Sequence, residues 1–425
     1  MLRLAYFADD FTGATDALES LASSGLRTRL FLDAPTVEQL AEHPGLEAVG
    51  VAGLTRSLPP QEIAQTLRPA FAALRALGPS HVYYKVCSTF DSSPTIGSIG
   101  RAIEVGQEVF GGSVVPLLVA APALGRYCAF GNLFARYGIG SDGPIYRLDR
   151  HPAVSAHPVT PMNEADIRKH LLEQTDFVVG LVDVSQIEQG PEALERTMRM
   201  QMKDGADIVL FDALTETHLH TIGIVLDRLG SSSRPLFSVG SSGLGTALVS
   251  PHATPSKLPA YPTGLPPAKA PLLVVSGSCS PVTAAQIEWA ESQGFAIVPF
   301  GEQATEAAAA ALSSGRHTIV CSSRGVADEK LFPASHLGTA LGRLASGLIA
   351  VHGVRRLVVV GGDTSSYAAR ALGIESLEMI APLAPGAPWC RARAPGSAVD
   401  GCEVNFKGGQ VGAPDYFGAA ARGKL

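Results

Sequence analysis

Residues 2–16 read Leu2-Arg3-Leu4-Ala5-Tyr6-Phe7-Ala8-Asp9-Asp10-Phe11-Thr12-Gly13-Ala14-Thr15-Asp16. The apolar run from Leu2 to Ala8 predicts a short buried strand, and the run Ala17-Leu18-Glu19-Ser20-Leu21-Ala22 that follows predicts a helix. Two adjacent carboxylates therefore stand at a strand's exit. Open α/β sheets bind ligands in the crevice beyond the carboxyl ends of their strands, so Asp9 and Asp10 are placed to accept a hydroxyl's proton, bind a sugar's polar edge or hold a metal. The competing reading is helix capping, in which a carboxylate satisfies free amides at the helix start. One aspartate suffices for a cap; a pair points to a second task.

The rest of the chain repeats this βα pattern. Predicted strands at Arg27 to Leu32 and Leu46 to Ala52 are followed by Thr55-Arg56-Ser57, where an arginine just past a strand end can grip a carboxylate or phosphate with its planar fork. The strand from His81 to Val86 carries Lys85 and runs into a hydroxyl-rich loop, Cys87-Ser88-Thr89-Phe90-Asp91-Ser92-Ser93, which enters a helix near Arg101. A lysine, hydroxyls and an aspartate at one strand exit suit a polyhydroxylated anion: the cation takes the charge and the hydroxyls take the alcohols. A further apolar run, Ser113 to Ala120, leads to Arg126. His151 and His157 lack metal-ligand spacing and are expected to be structural. Strands follow at Phe177 to Val184, Ile208 to Asp212 and Leu236 to Gly240.

Seven prolines between Pro251 and Pro271 exclude a central strand or helix interior there and mark a linker, dividing the chain into 1–250, 251–271 and 272–425. Beyond it Leu272 to Val275 restarts the pattern and leads through Ser278 and Ser280 into a helix; strands are expected at Ala296 to Val298, Thr318 to Cys321 and Arg356 to Val360. The last passes into Gly361-Gly362-Asp363-Thr364-Ser365-Ser366, with a helix expected to begin near Tyr367. Glycines at such a junction let the backbone approach a phosphate, and a helix start supplies free amides. That interaction is worth only about 0.3–1 kcal/mol when exposed, so a triphosphate needs more, from Mg²⁺ and from the late segment Lys407-Gly408-Gly409-Gln410 folding over it. Neither G-x-x-x-x-G-K-[ST] nor an early G-x-G-x-x-G occurs.

The fold class expected is α/β: two domains, each a mostly parallel sheet flanked by helices, with an active-site cleft between them. A chain of 425 residues exceeds one usual core, and 45 glycines with 30 prolines fit many tight turns. A net charge of −6 supplies no basic stripe for nucleic acid. The six cysteines form no C-x-x-C pair and read as reduced thiols; no apolar run suggests a membrane span, and the start resembles no secretory signal, so the expected location is cytoplasmic.

Together these motifs resemble the four-carbon acid sugar kinases, two-domain proteins, over nearly the whole chain. The resemblance rests on residues 8–16, on Tyr84 to Ser92, on His157-Pro158-Val159-Thr160-Pro161-Met162, on Gly361-Gly362-Asp363-Thr364 and on the terminal lysine-glycine segment, in that order. It implies an N-terminal domain for a sugar acid, a C-terminal domain for ATP, and phosphoryl transfer to the acid's terminal hydroxyl. By position, Asp9, Asp10, Arg56, Lys85, Ser88, Thr89 and Asp91 correspond to the acid-sugar site, with Arg126 added as a substrate residue. Ser278, Ser280, Gly361, Gly362, Asp363, Thr364, Lys407, Gly408 and Gly409 correspond to the ATP site. One of Asp9, Asp10 and Asp91 is expected to act as base; metal ligands are not assigned. The chain has Ile96-Gly97-Ser98-Ile99-Gly100 where relatives acting on straight-chain tetronates often carry glycine-asparagine-isoleucine-glycine. Where relatives tend to have lysine-serine-glycine-asparagine-phenylalanine-glycine, it reads Lys407-Gly408-Gly409-Gln410-Val411-Gly412. A branched acid such as 3-oxo-isoapionate thus stands beside 3-oxo-tetronate, threonate and erythronate as substrate. The expected partners are this small acid and ATP, without nucleic acid or membrane, and a homodimer is left open. Two other classes compete: an NAD(P)-dependent oxidoreductase of a small hydroxy acid, which would need a glycine fingerprint where Asp9-Asp10 stands, and a non-catalytic two-lobed sugar-acid sensor, which would need no second glycine-rich site.

Overall fold

The computed structural model describes residues 2–137, 142–155, 160–252, 261–325 and 333–424. His157, Pro158 and Val159 of the connector, and Pro255 and Pro259 of the proline-rich segment, lie outside the described residues. The chain forms two compact α/β units: Met1–Asp9, Ser20–Thr28 and Asp33–Pro259 make the first, and Asp10–Glu19, Arg29–Leu32 and Ala260–Leu425 the second.

The sheet of the first unit runs Ala48–Ala52, Leu4–Ala8, His81–Lys85, Leu236–Gly240, Val115–Leu118, Ile208–Phe211, Val179–Val182, and every pairing is parallel. Its central strands are buried on both faces, which is why they read as unbroken apolar runs instead of alternating ones. Strand order reverses at Leu4–Ala8, whose sheet neighbours Ala48–Ala52 and His81–Lys85 both come later in the chain; such a switch point opens a crevice. The register sets Ala8 opposite Ala52 and Lys85, and Gly240 opposite Lys85 and Leu118. The carboxyl ends therefore form one rim.

A second, antiparallel sheet, Arg126–Ala129, Asn132–Arg136 and Ile145–Arg147, was not among the expected elements. Its first turn is Phe130-Gly131, both at positive φ (50° and 80°), the backbone of a tight two-residue hairpin. Phenylalanine is a poor signal for that turn. What holds it is the Asp212 carboxylate, which accepts from the amides of Phe130 (2.5 Å), Gly131 (3.0 Å) and Val184 (3.1 Å). Burial pushes the pKa of Asp212 up, and those three amides oppose the shift.

In the second unit the order is Ala296–Pro299, Thr318–Cys321, Leu273–Ser276, Arg356–Val360, Glu403–Lys407, Ala387–Arg393, Ser376–Ala384, and then Thr28–Phe31. The first five strands are parallel and the remaining pairings antiparallel. The α/β class with mostly parallel sheets is as expected. Leu272, Val274, Ile287, Val358, Trp389, Tyr416 and Phe417 build the core of this unit. Helix Phe11–Ser23 enters it through its first half: Phe11 packs on Phe406 with ring centroids 4.6 Å apart, and Thr15 donates to the carbonyl of Gly386.

Glu19 closes that contact by accepting the Gly386 amide at 2.6 Å. Burial pushes its carboxyl up from 4.5 to about 7; the amide resists and the charge of Asp16 adds. A carboxyl held above its unfolded value stabilises the fold while protonated, so stability falls as pH rises from about 4.5 to about 7, by roughly 3 kcal/mol. Glu19→Gln keeps an acceptor for the amide and removes the charge. It is expected to raise the melting temperature at about pH 8 and to flatten the decline across that window, as read by melts in a pH series.

No helix among the described residues is long and apolar enough to cross a membrane.

Candidate functional site

On the rim of the first unit, Asp9 and Arg56 form a bidentate pair: Nε donates to Oδ2 at 3.0 Å and Nη2 to Oδ1 at 2.7 Å. The carboxylate is buried and the guanidinium a quarter exposed. Backbone bonds fix both partners, from the Arg56 amide to the Asp9 carbonyl (3.0 Å) and from the Asp9 amide to the Lys85 carbonyl (2.9 Å). The short 3₁₀ turn Thr55–Ser57 that carries Arg56 is anchored by Thr55, whose hydroxyl meets the Tyr84 hydroxyl at 2.8 Å. Lys85 is buried at its strand's end, its Nζ donating to the Val86 carbonyl at 3.3 Å.

The loop after Lys85 is held in an uncommon backbone state, with Phe90 at φ 58° between Thr89 and Asp91. A non-glycine residue there costs on the order of 1 kcal/mol and persists where its surroundings over-determine it. Ser92 donates to the Phe90 carbonyl (2.9 Å), meets His170 Nε2 (2.9 Å) and accepts from Gln174 (3.0 Å). Gln174 also accepts the amides of Ile99 and Gly100, so one side chain joins the loop to the helix Ile99–Phe110 that Ser98 caps. Burial pulls the His170 pKa down, which favours a neutral ring at this joint. His170 and Gln174 were not among the expected site residues. They lie 78 and 82 residues from Ser92, and nothing local in the sequence announces the meeting.

Ser88, Thr89 and Asp91 are half-buried on this loop, and Thr89 meets the Cys87 thiol at 2.8 Å. Burial pushes Cys87 up to about 11; the Asp91 charge adds and that of Arg56 opposes. Arg126 lies within the same field: burial lowers its pKa, and Cys87 and Asp91 raise it. Arg126 Nη1 donates to the carbonyl of Arg136 at 2.9 Å, and its buried Nε has no hydrogen-bond partner among the described residues. His151 is buried, accepts the amides of Ala153 and Val154 on Nδ1, and stacks on Tyr137, which is a structural placement.

The second unit gathers the glycine motifs at one rim. The helix after Arg356–Val360 spans Gly362–Ala371, so it begins five residues before Tyr367, the expected start, and Gly362, Asp363 and Thr364 form its first turn. Gly361 precedes it at φ 117°, a conformation side chains avoid, and as the N-cap residue it offers no side-chain cap. The late loop comes to the same place. A Cβ on Gly409 would stand 2.6 Å from Ser278 Oγ and 2.9 Å from Ser280 Cβ. Ser278 donates to Thr283 (3.1 Å), Thr283 donates to the Gly409 carbonyl (2.8 Å), and Ser280 caps the helix Pro281–Ser292. Gln286 on that helix donates toward the carbonyls of Val411, Gly412 and Ala413, each at 3.0 Å. Gly408 is half-buried on the same loop.

Lys407 is the last residue of its strand and fully buried, with Nζ 5.2 Å from the centroid of the Tyr416 ring and without a hydrogen-bond partner among the described residues. Burial lowers its pKa to about 7. Asp10 belongs to this unit. Its Oδ1 accepts the Gly13 amide and its Oδ2 the Thr12 hydroxyl, both at 2.7 Å, and a Cβ on Gly362 would stand 3.9 Å from Oδ2. The neighbouring carboxylates thus have different surroundings: Asp10 caps a helix beside the glycine turn, and Asp9 is tied to Arg56.

A sugar-binding N-terminal domain family matches residues 4–248, and a nucleotide-binding C-terminal domain family matches residues 273–417. The chain belongs to the four-carbon acid sugar kinase family. It is 40% identical to a 3-oxo-isoapionate kinase of Paraburkholderia graminis, across 100% of this chain and 95% of that protein. With a 3-oxo-tetronate kinase of Methylobacterium radiotolerans it shares 32% identity, across 99% of this chain and 98% of the other. A crystal structure from Salmonella typhimurium LT2, described as a tRNA synthase, superposes with a TM-score of 0.80 at 27% identity, covering 99% of both chains.

Proposed function

We propose that the protein is an ATP-dependent kinase that phosphorylates the terminal hydroxyl of a small sugar acid, with 3-oxo-isoapionate as the first candidate. The observation that carries this reading is that Gly361 and Gly409 meet at Ser278, Gly409 so closely that a side chain has no room, beside a helix start whose N-cap residue is a glycine. Phosphates suit such a place. The choice of acid rests on the higher identity to the isoapionate enzyme than to the tetronate enzyme.

In this reading Arg56, Lys85 and Arg126 take the carboxylate and neighbouring oxygens, the unsatisfied Nε of Arg126 supplying one donor. Ser88, Thr89 and Asp91 hold the substrate hydroxyls. Asp9 keeps the Arg56 fork in plane, and Asp10 orients the attacking hydroxyl and accepts its proton, because among the three aspartates it is the one grouped with the nucleotide-binding unit. Ser278, Ser280, Gly361, Gly362, Thr364, Gly408 and Gly409 surround ATP, and Lys407 supports that loop from within.

Among the described residues no three His, Cys, Asp or Glu side chains converge into a metal cage. Phosphoryl transfer needs none, since Mg²⁺ is held mostly by substrate phosphates with one or two carboxylates, and Asp363 in the first helical turn would provide one. When bound, the metal supplies charge neutralisation at the phosphate oxygens. A cytoplasmic location belongs to the same proposal, and the free state of all six cysteines agrees with it.

ADP release measured over 3-oxo-isoapionate, 3-oxo-tetronate, threonate and erythronate tests the reading. The expected result is turnover with the highest kcat/KM for 3-oxo-isoapionate; no ADP release with any of them overturns it. Gly409→Ala forces a Cβ against Ser278 and is expected to raise KM for ATP by roughly tenfold or more while leaving KM for the acid unchanged, as read by steady-state kinetics.

A further inference from the structure

A cleft of about 250 Å³ opens in the second unit where strands Arg356–Val360 and Glu403–Lys407 begin. Residues Pro266 to Ala270, Arg355, Arg356, Arg391, Gly401 and Glu403 line it. Arg356 is structurally occupied: it pairs with Glu403 at 2.7 Å, donates to the carbonyls of Pro266, Ala420 and Ala421, and lies 5.0 Å from the Trp389 ring centroid. Its pairing cancels the charge of Glu403. Three further cations remain. The Arg391 side chain donates to the Gly401 carbonyl at 3.2 Å, and the exposed side chains of Lys269 and Arg355 have no hydrogen-bond or ion-pair partner among the described residues.

Three cations around one cleft, with the carboxylate that lines it among the described residues already neutralised, repel one another in a chain whose net charge is −6. An anion relieves that repulsion, and guanidinium forks match the planar oxygens of phosphate and carboxylate. We infer that this cleft binds a compact small-molecule polyanion, a phosphate ester or a polycarboxylate. It is separate from the glycine rim of the same unit: the two strands that start at the cleft end at Val360 and Lys407, just before Gly361 and Gly408, roughly 15 Å further along. Nothing in the proposed phosphoryl transfer uses it, so the inference stands or falls independently of that reading.

The test is calorimetric titration of the full chain at low ionic strength with the nucleotide site saturated by ADP. Glycerol 3-phosphate is the probe in one arm and citrate in the other. One saturable event is expected with at least one probe, weakened about tenfold or more by Arg355→Ala/Arg391→Ala and by added salt, with kinase activity unchanged. The tighter probe identifies the ligand as ester or polycarboxylate. Absence of ADP-insensitive binding by both probes, or equal affinity in the variant, overturns the inference. Lys269→Glu, at an exposed position, gives the same comparison should the double variant not fold.

Discussion

Asp10→Asn is expected to lower kcat by about 10²–10⁴-fold without loss of fold, as measured by ADP release together with a thermal melt. The substitution separates two tasks at one position. Asparagine is as good an N-cap as aspartate, and its carbonyl oxygen can still accept the Gly13 amide. Helix Phe11–Ser23 should therefore keep its start. What the variant loses is the negative charge beside Gly362, and with it the ability to take a proton from an attacking hydroxyl. A normal kcat would leave Asp10 as a cap only and move the proton acceptor to Asp91, whose side chain is half-buried on the loop held by Ser92.

Arg56→Ala has the second large effect, on stability as well as on substrate. It removes the bidentate partner of the buried Asp9 carboxylate, which costs roughly 3 kcal/mol, the lower end for a buried pair because the guanidinium is partly exposed. The expected outcome is a melting temperature lower by several degrees and a KM for the acid raised more than about tenfold, one charge-assisted contact being worth 1.5–3 kcal/mol. Pairing it with Asp9→Asn distinguishes the causes. The double variant removes the carboxylate's charge together with its guanidinium partner and should recover much of the stability while acid binding stays weak. Recovery of both would make the pair purely structural.

The parallel strands were legible because burial on both faces leaves unbroken apolar runs, as in Leu4–Ala8 and Arg356–Val360. The rim residues were legible for a related reason: polar groups directly after such runs can only sit at strand ends. The antiparallel sheet that begins at Arg126–Ala129 was not, because its short strands alternate and its turn is Phe-Gly, with the compensating Asp212 far along the chain. The helix at Gly362 is expected late because glycine, aspartate, threonine and serine are weak helix formers; here Thr364 at its start packs against Gly277, and the Gly361 amide just before it donates to the Lys407 carbonyl. The joint of Ser92, His170 and Gln174 is a tertiary meeting that no local pattern encodes.

Residues 10–19 and 29–32 are grouped with the part of the chain that follows the proline-rich segment, not with their neighbours in sequence. A polypeptide beginning at residue 272 would therefore lack the strand that pairs with Ser376 and Leu377, and would present a bare edge able to recruit other chains. During synthesis these early residues leave the ribosome first, yet their partners arrive only when nearly all of the protein has been translated. Until then the side that meets those late partners waits uncovered, which makes this protein a candidate client for chaperones that shield nascent hydrophobic segments.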